Sequence, residues 1–70
     1  MSKVVTIAVD AMGGDGSPKK VIDGISNHYK NSKNTFYRIF GDEYQIKKLI
    51  PKTLSNNNFE IVHTKNSVKG

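Results

Sequence analysis

The residues best suited to chemistry in this 70-residue chain lie in one glycine-rich segment, Asp10 to Pro18, with the sequence DAMGGDGSP. Gly13, Gly14 and Gly16 permit positive φ and a close approach of the main chain to a ligand. A turn that leads from a strand into a helix offers free main-chain amides and the positive end of the helix dipole. The segment therefore favours an anion, with phosphate as the first candidate, although the same glycines would also suit a purely structural tight turn.

The segment does not match the two best-known phosphate-binding signatures. A Walker loop needs Lys and then Ser or Thr after its last glycine, whereas Gly16 is followed by Ser17 and Pro18. The dinucleotide fingerprint G-x-G-x-x-G can start at Gly14 but has Lys19 where its third glycine belongs. These mismatches count against nucleotide triphosphate hydrolysis and against ordinary NAD binding.

Two carboxylates accompany the glycines. Asp10 and Asp15 could each accept hydrogen bonds from neighbouring amides and so orient the loop. A carboxylate beside an anionic ligand is unfavourable unless it is protonated or paired, so we expect an orienting role for both rather than a base. No catalytic residue is assigned, and the predicted phosphate- and substrate-binding set is Asp10, Gly13, Gly14, Asp15 and Gly16.

The two histidines are weaker candidates. His28 falls off the apolar stripe of its predicted helix and is interpreted as a solvated residue. His63 ends a predicted strand, where ligand sites gather, but a structural role is the favoured interpretation. The chain has no Cys, and none of its His, Asp and Glu residues has metal-ligand spacing, so neither thiolate catalysis nor a metal site is expected.

Composition limits the chain to one small domain and excludes few partners. The net charge of +5 comes from 11 Lys and Arg against 6 Asp and Glu, but the lysines are scattered and no basic run indicates nucleic-acid binding. The apolar run before Asp10 is too short for a signal peptide or a membrane span, so a cytoplasmic location is expected. Four aromatic residues are predicted to pack in the core rather than to stack on bases: Tyr29, Phe36, Tyr37 and Phe40.

Strands and helices alternate around the glycine segment. Strands are predicted at Val4 to Val9, Thr35 to Phe40 and Phe59 to His63, and helices from about Pro18 to about Lys30 and between Asp42 and Pro51. The first strand has the apolar composition of one buried on both faces, and Ser17 and Asp42 are predicted N-caps. The β-α-β-α-β order predicts an α/β fold, part of a doubly wound and mostly parallel sheet. Because no helix is expected after the third strand, residues 1–70 are predicted to form a single incomplete domain.

A family resemblance appears in residues 7 to 24, IAVDAMGGDGSPKKVIDG, which closely resemble the opening of the bacterial phosphate acyltransferases (phosphate:acyl-acyl carrier protein acyltransferases). The D-A-M-G-G-D block, with Pro18 and Gly24 at their present offsets, is highly specific. Weaker similarity continues at residues 39–42 and 60–64. Gly16 departs from the family, which usually has a larger side chain there, and complete members are several times longer.

The resemblance implies an isocitrate-dehydrogenase-like fold, a homodimer, and a cytoplasmic location with peripheral membrane association. It also implies that inorganic phosphate displaces acyl carrier protein from a long-chain acyl thioester, and that the acyl phosphate passes to a membrane glycerol-3-phosphate acyltransferase. No cofactor is expected, because a phosphate oxygen attacks the thioester directly and donors stabilise the oxyanion. The fragment is expected to be inactive alone. A small basic anion-binding module and a nonfunctional remnant stay open as alternatives.

Overall fold

The computed structural model describes residues 3–64. Along these residues the elements are β1 (Val5–Asp10), α1 (Lys19–Asn31), β2 (Thr35–Gly41), α2 (Glu43–Leu49) and β3 (Phe59–His63), with one 3-10 turn at Asn56–Asn58. The predicted β-α-β-α-β order is thereby confirmed. Residues 65–70, in which no completed helix was expected, lie outside the described residues. Neither α1 nor α2, the helices of the described part, is long and apolar enough to cross a bilayer.

All three strands are parallel and lie in the order β1-β2-β3. The register pairs Asp10 with Phe40 and Gly41 with His63. The carboxyl ends of the strands therefore meet at one edge of the sheet, which is the edge where α/β proteins bind ligands. This arrangement confirms the α/β class and brings the glycine segment to that edge.

Both helices cover the same face of the sheet. Alternate residues from Thr35 to Gly41 are buried, and the residues between them are half-buried or exposed. Two right-handed crossovers that step in the same direction across a sheet place both helices on one side. The buried core lies between the helices and that face and consists of Ala11, Ile22, Ile25, Tyr37, Ile39, Ile46 and Leu54.

β1 is not buried on both faces, contrary to the prediction from its composition. Within residues 3–64 it is an edge strand that pairs with β2 alone, and Val5 is 57% exposed. Ile7 and Val9 pack against the core, whereas Thr6 and Ala8 point to the other face and are exposed. The prediction was wrong because a central strand needs two neighbours and two covering layers, and residues 3–64 supply one of each.

The aromatic residues divide between the two faces. Tyr37 is buried in the core and Tyr29 packs against it, as predicted. Phe36 and Phe40 alternate with the core residues of β2 and are half-buried on the opposite face. The prediction of core packing is therefore correct for the two tyrosines and wrong for the two phenylalanines, because a strand directs successive side chains to opposite faces.

Helix α1 begins at Lys19, one residue later than predicted, and Ser17 is not its side-chain cap. The Ser17 hydroxyl instead donates to the Gly13 carbonyl at 2.6 Å, and the cap position is taken by Pro18 without a side-chain hydrogen bond. Short hydroxyl side chains readily bond to nearby main-chain groups. Ser17 therefore tightens the glycine loop rather than the helix.

Helix α2 begins as predicted. Asp42 Oδ1 accepts hydrogen bonds from the main-chain amides of Tyr44 at 3.0 Å and Gln45 at 3.3 Å. At the other end Ile50 leaves the helical conformation with ψ of 122°, as expected for a residue before a proline. The N-cap prediction for Asp42 and the stop at Pro51 are both confirmed.

We expect Asp42→Ala to lower Tm at neutral pH and Asp42→Asn to preserve most of it, since Asn retains the capping oxygen. The Gln45 main-chain N–H is the largest influence on the carboxyl and holds the pKa of Asp42 below its usual value, with smaller help from the Tyr44 N–H and from His63. A lowered folded-state pKa gives stability that is present above the unfolded pKa and is lost as the pH falls through the folded pKa. Thermal melts along an acid pH series measure this loss. The loss should be shallower in Asp42→Asn, and an unchanged acid limb in that variant would mean that protonation of the Asp42 carboxyl does not cause the loss.

Candidate functional site

The glycine segment forms the turn between β1 and α1 at the carboxyl edge of the sheet. Gly14 has φ of +91° and Gly16 has φ of +83°, whereas no residue other than glycine has a positive φ among residues 3–64. L-residues with side chains rarely adopt this conformation. The path of the loop therefore depends on glycine at these two positions.

The main-chain amides of the loop are open to solvent. The hydrogen bonds donated by the main chain end at Met12 and resume at Ser17. Within the described residues, no acceptor is found for the four amides between them, and all four residues are exposed: Gly13, Gly14, Asp15 and Gly16. Consecutive open amides next to a helix N-terminus suit a negatively charged ligand.

The two predicted carboxylates differ in what they contact. Asp10 Oδ1 accepts a hydrogen bond from the Met12 amide at 3.0 Å, and a Cβ at Gly13 would lie 3.3 Å from Asp10 Oδ2. The missing side chain at Gly13 thus lets the Asp10 carboxylate lie against the loop and orient it. Asp15 is exposed, and no hydrogen bond to its carboxylate is found in the part of the chain that the structure describes. Its ligand role stays a prediction.

Met12 fixes the loop to the sheet through a contact that the sequence did not predict. A Cβ at Gly41 would lie 2.8 Å from Met12 Cγ and 2.9 Å from Ile46 Cδ1. The missing side chain at Gly41 therefore leaves room for Met12 to pack beside Ile46, which is fully buried. A glycine at the end of β2 predicted a turn, but the sequence did not indicate that Gly41 makes room for Met12.

We expect Gly41→Ala to lower the free energy of unfolding by about 1–3 kcal/mol, the usual cost of overpacking. The new methyl group would push Met12 aside and loosen the loop. In a double-mutant cycle the same change should cost less in a Met12→Ala background, because Met12 Cγ and Sδ are then absent. Denaturant unfolding of the four chains measures the coupling. If the two substitutions had strictly additive effects on the free energy of unfolding, Met12 would not pack against Gly41.

Lys20 is a second residue that the sequence did not single out. Its Cδ, Cβ and Cγ lie 3.1, 3.6 and 3.7 Å from the position of a Cβ at Gly16, so its stem passes over the loop. Lys19 pairs with Asp23 at 3.0 Å, whereas no carboxylate partner of Lys20 is found between residues 3 and 64. Lys20 was not singled out because the lysines are scattered along the sequence. Its ammonium can reach an anion at the loop.

His63 lies at the same edge of the sheet and has a structural role. Its Nδ1 accepts a hydrogen bond from the Glu43 amide at 3.1 Å, at the start of α2. Main-chain pairing continues past it, because the Thr64 amide donates to the Gly41 carbonyl at 2.9 Å. This supports the favoured interpretation of His63 as a structural residue. No group of three or more His, Cys, Asp or Glu fit to hold a metal is found in residues 3–64.

His28 is not simply solvated. Its Nδ1 lies 2.6 Å from the Tyr37 hydroxyl, and the two rings meet edge-on with centroids 5.8 Å apart. Tyr37 is 2% exposed, and burial raises the pKa of its phenol above the ordinary value. His28 is exposed, as predicted, but the interpretation was incomplete, because a position beside the apolar stripe of α1 still reaches the hydroxyl of a buried tyrosine. The pair joins α1 to β2 and lies outside the glycine loop.

Comparison with known proteins gives consistent similarities. Residues 5–70 match the family model described as "Fatty acid synthesis protein". Over 70 residues the chain is 61% identical to the phosphate acyltransferase of Pelagibacter ubique, and this match covers all of the chain and 21% of that protein. Over 59 residues it is 37% identical to the phosphate acyltransferase of Lactobacillus helveticus, and this match covers 84% of the chain and 18% of that protein. The chain thus spans about a fifth of the length of these relatives.

Proposed function

Because the chain belongs to the fatty acid synthesis protein family, we propose that it supplies the phosphate-binding loop of a phosphate acyltransferase. Both relatives described above carry that name. In the proposed reaction, an oxygen of inorganic phosphate attacks the thioester carbonyl of a long-chain acyl-acyl carrier protein. The carbon–sulfur bond then breaks, acyl phosphate forms and the carrier leaves as its thiol.

The observation that carries this proposal is the run of open amides from Gly13 to Gly16 at the carboxyl edge of the sheet. In the proposed site these N–H groups bind phosphate oxygens, and the Lys20 ammonium adds a positive charge from the first turn of α1. Asp10 holds the Met12 amide and so keeps the loop in shape. These groups position the nucleophile, which is the main requirement of a reaction between two bound substrates.

The finer properties implied by the family resemblance are part of the same proposal. They are an isocitrate-dehydrogenase-like arrangement of the whole fold, a homodimer, a cytoplasmic protein at the membrane surface, and delivery of acyl phosphate to a membrane glycerol-3-phosphate acyltransferase. Residues 1–70 would form the amino-terminal part of that fold. Support for these properties comes from similarity to the family.

A chimera tests the proposed function directly. In it, this chain replaces the matching 21% of the Pelagibacter ubique relative, and acyl phosphate formation is measured from acyl carrier protein thioester and phosphate. We expect turnover comparable with that of the parent. A well-folded chimera that binds acyl carrier protein thioester but makes no acyl phosphate would overturn the proposal. An anion-binding module would then be the better description if the isolated chain still bound phosphate at the glycine amides in an NMR titration.

Two substitutions in the chimera separate the possible roles of Asp10. Asp10→Asn keeps an oxygen that can accept from the Met12 amide, so we expect a phosphate KM and kcat close to those of the unsubstituted chimera. Asp10→Ala removes the acceptor and should raise the phosphate KM by about tenfold, as the loss of one charge-assisted hydrogen bond would. A large loss of kcat in Asp10→Asn with normal phosphate KM would instead assign Asp10 to proton transfer.

A further inference from the structure

The imidazole of His63 uses one ring nitrogen in a main-chain contact and leaves the other available. Its Nδ1 accepts a hydrogen bond from the Glu43 amide at 3.1 Å, and no hydrogen bond at Nε2 is found within residues 3–64. A ring nitrogen that accepts from an N–H carries no proton, so the neutral ring has its proton on Nε2. The His63 side chain is also exposed. The ring therefore presents an oriented Nε2–H donor to a bound group.

This donor lies at the edge of the sheet that carries the glycine loop. His63 is the register partner of Gly41, against which Met12 of the loop packs. With β2 between β1 and β3, a strand spacing of about 5 Å places the ends of β1 and β3 about 10 Å apart. Two hydrogen bonds of about 3 Å each, with the atoms of a phosphate bonded to a carbonyl carbon between them, span such a distance. One reacting complex can thus contact both the loop amides and His63.

We propose that His63 is a catalytic residue whose Nε2–H donates a hydrogen bond to the carbonyl oxygen of the acyl thioester. As a phosphate oxygen bonds to the carbonyl carbon, an electron pair of the C=O bond moves onto that oxygen, and an oriented donor stabilises the charge that develops. The pair returns when the carbon–sulfur bond breaks, so the ring keeps its proton throughout. The loop amides bind the phosphate, and His63 binds the oxyanion. The assignment rests on the proposed function, whereas the position of the ring proton follows from the contact with Glu43.

Two substitutions in the acyltransferase chimera separate the donor from the structural contact. His63→Asn keeps an acceptor near the position of Nδ1 and loses the donor at Nε2. We expect it to leave Tm nearly unchanged and to lower kcat about a hundredfold, the usual effect of losing one oxyanion donor. Its phosphate KM should hardly change, because the loop amides are intact. His63→Gln places an N–H near the position of Nε2 and loses the acceptor, so its Tm should fall while its kcat exceeds that of His63→Asn by about tenfold.

His28→Asn is the matched control, because it makes the same change in a histidine that contacts Tyr37 outside the glycine loop, and it should leave kcat unchanged. Nitrogen NMR spectra of the chimera should show the proton of the neutral His63 ring on Nε2. A kcat that follows Tm across the His63 variants would overturn the assignment and leave a structural role, as would a ring proton on Nδ1. Either result would leave the proposed function standing, whereas an inactive unsubstituted chimera would overturn both.

Discussion

Tyr37→Ala is expected to lower Tm by at least about 12 °C, because truncating a buried aromatic side chain costs about 3–5 kcal/mol. Tyr37 is 2% exposed and is among the largest fully buried side chains of the core. A domain of this length has a total stability on the order of 4–10 kcal/mol. The substitution could therefore remove most of the stability of the chain.

Tyr44→Ala is the matched control, because it removes the same side chain from a position that is 77% exposed. We expect it to change Tm little. Tyr37→Phe separates packing from the contact with His28, since it keeps the ring and loses only the hydroxyl, at a cost of about 1 kcal/mol. Thermal melts followed by circular dichroism measure all three. Equal losses in the two alanine variants would mean that the core is not organised around β2.

The order of elements could be predicted from sequence because each local signal agrees with the tertiary arrangement. The β-branched run before Asp10, the apolar spacing in α1, the cap at Asp42 and the stop at Pro51 act over a few residues and need no knowledge of neighbours. Burial of β1 could not be predicted in the same way. Its apolar composition suits a strand with two neighbours and two covering layers, whereas the described residues leave one face open.

The candidate site likewise has features that local sequence predicts and contacts that it does not. The glycine loop and its position at the carboxyl edge follow from a strand, a turn and a helix in succession, so the sequence predicted them. The contacts that shape the loop were missed because they depend on tertiary packing or on the choice of hydrogen-bond partner. Met12 rests on Gly41, which is 29 positions later in the sequence, and Ser17 bonds to Gly13 rather than to the helix. Asp10 and Asp15 looked equivalent in sequence, and only Asp10 is found bonded to a loop amide in the described residues.

The same substitution, glycine to alanine, is expected to have opposite effects at two positions of this chain. Gly14 has φ of +91° and a Cβ there would meet nothing within 4 Å, so Gly14→Ala is opposed by backbone conformation alone, at about 1–2 kcal/mol. Gly24 lies within α1, and a Cβ there also meets nothing within 4 Å. Gly24→Ala should therefore raise the free energy of unfolding by about 0.5–1 kcal/mol, because alanine favours the helix. Denaturant unfolding of the two variants measures both signs.

In the acyltransferase chimera, Gly14→Ala should raise the phosphate KM by about tenfold, the equivalent of about 1.4 kcal/mol. The alanine would change the path of the loop that carries the open amides, whereas Gly24→Ala should leave the phosphate KM unchanged. Gly14→Asn should recover part of the loss, since asparagine tolerates positive φ better than other side chains. Lower stability in Gly14→Ala with a normal phosphate KM would mean that the glycines only build a turn. A phosphate KM that follows φ at position 14, rather than stability, would tie anion binding to the geometry of the loop.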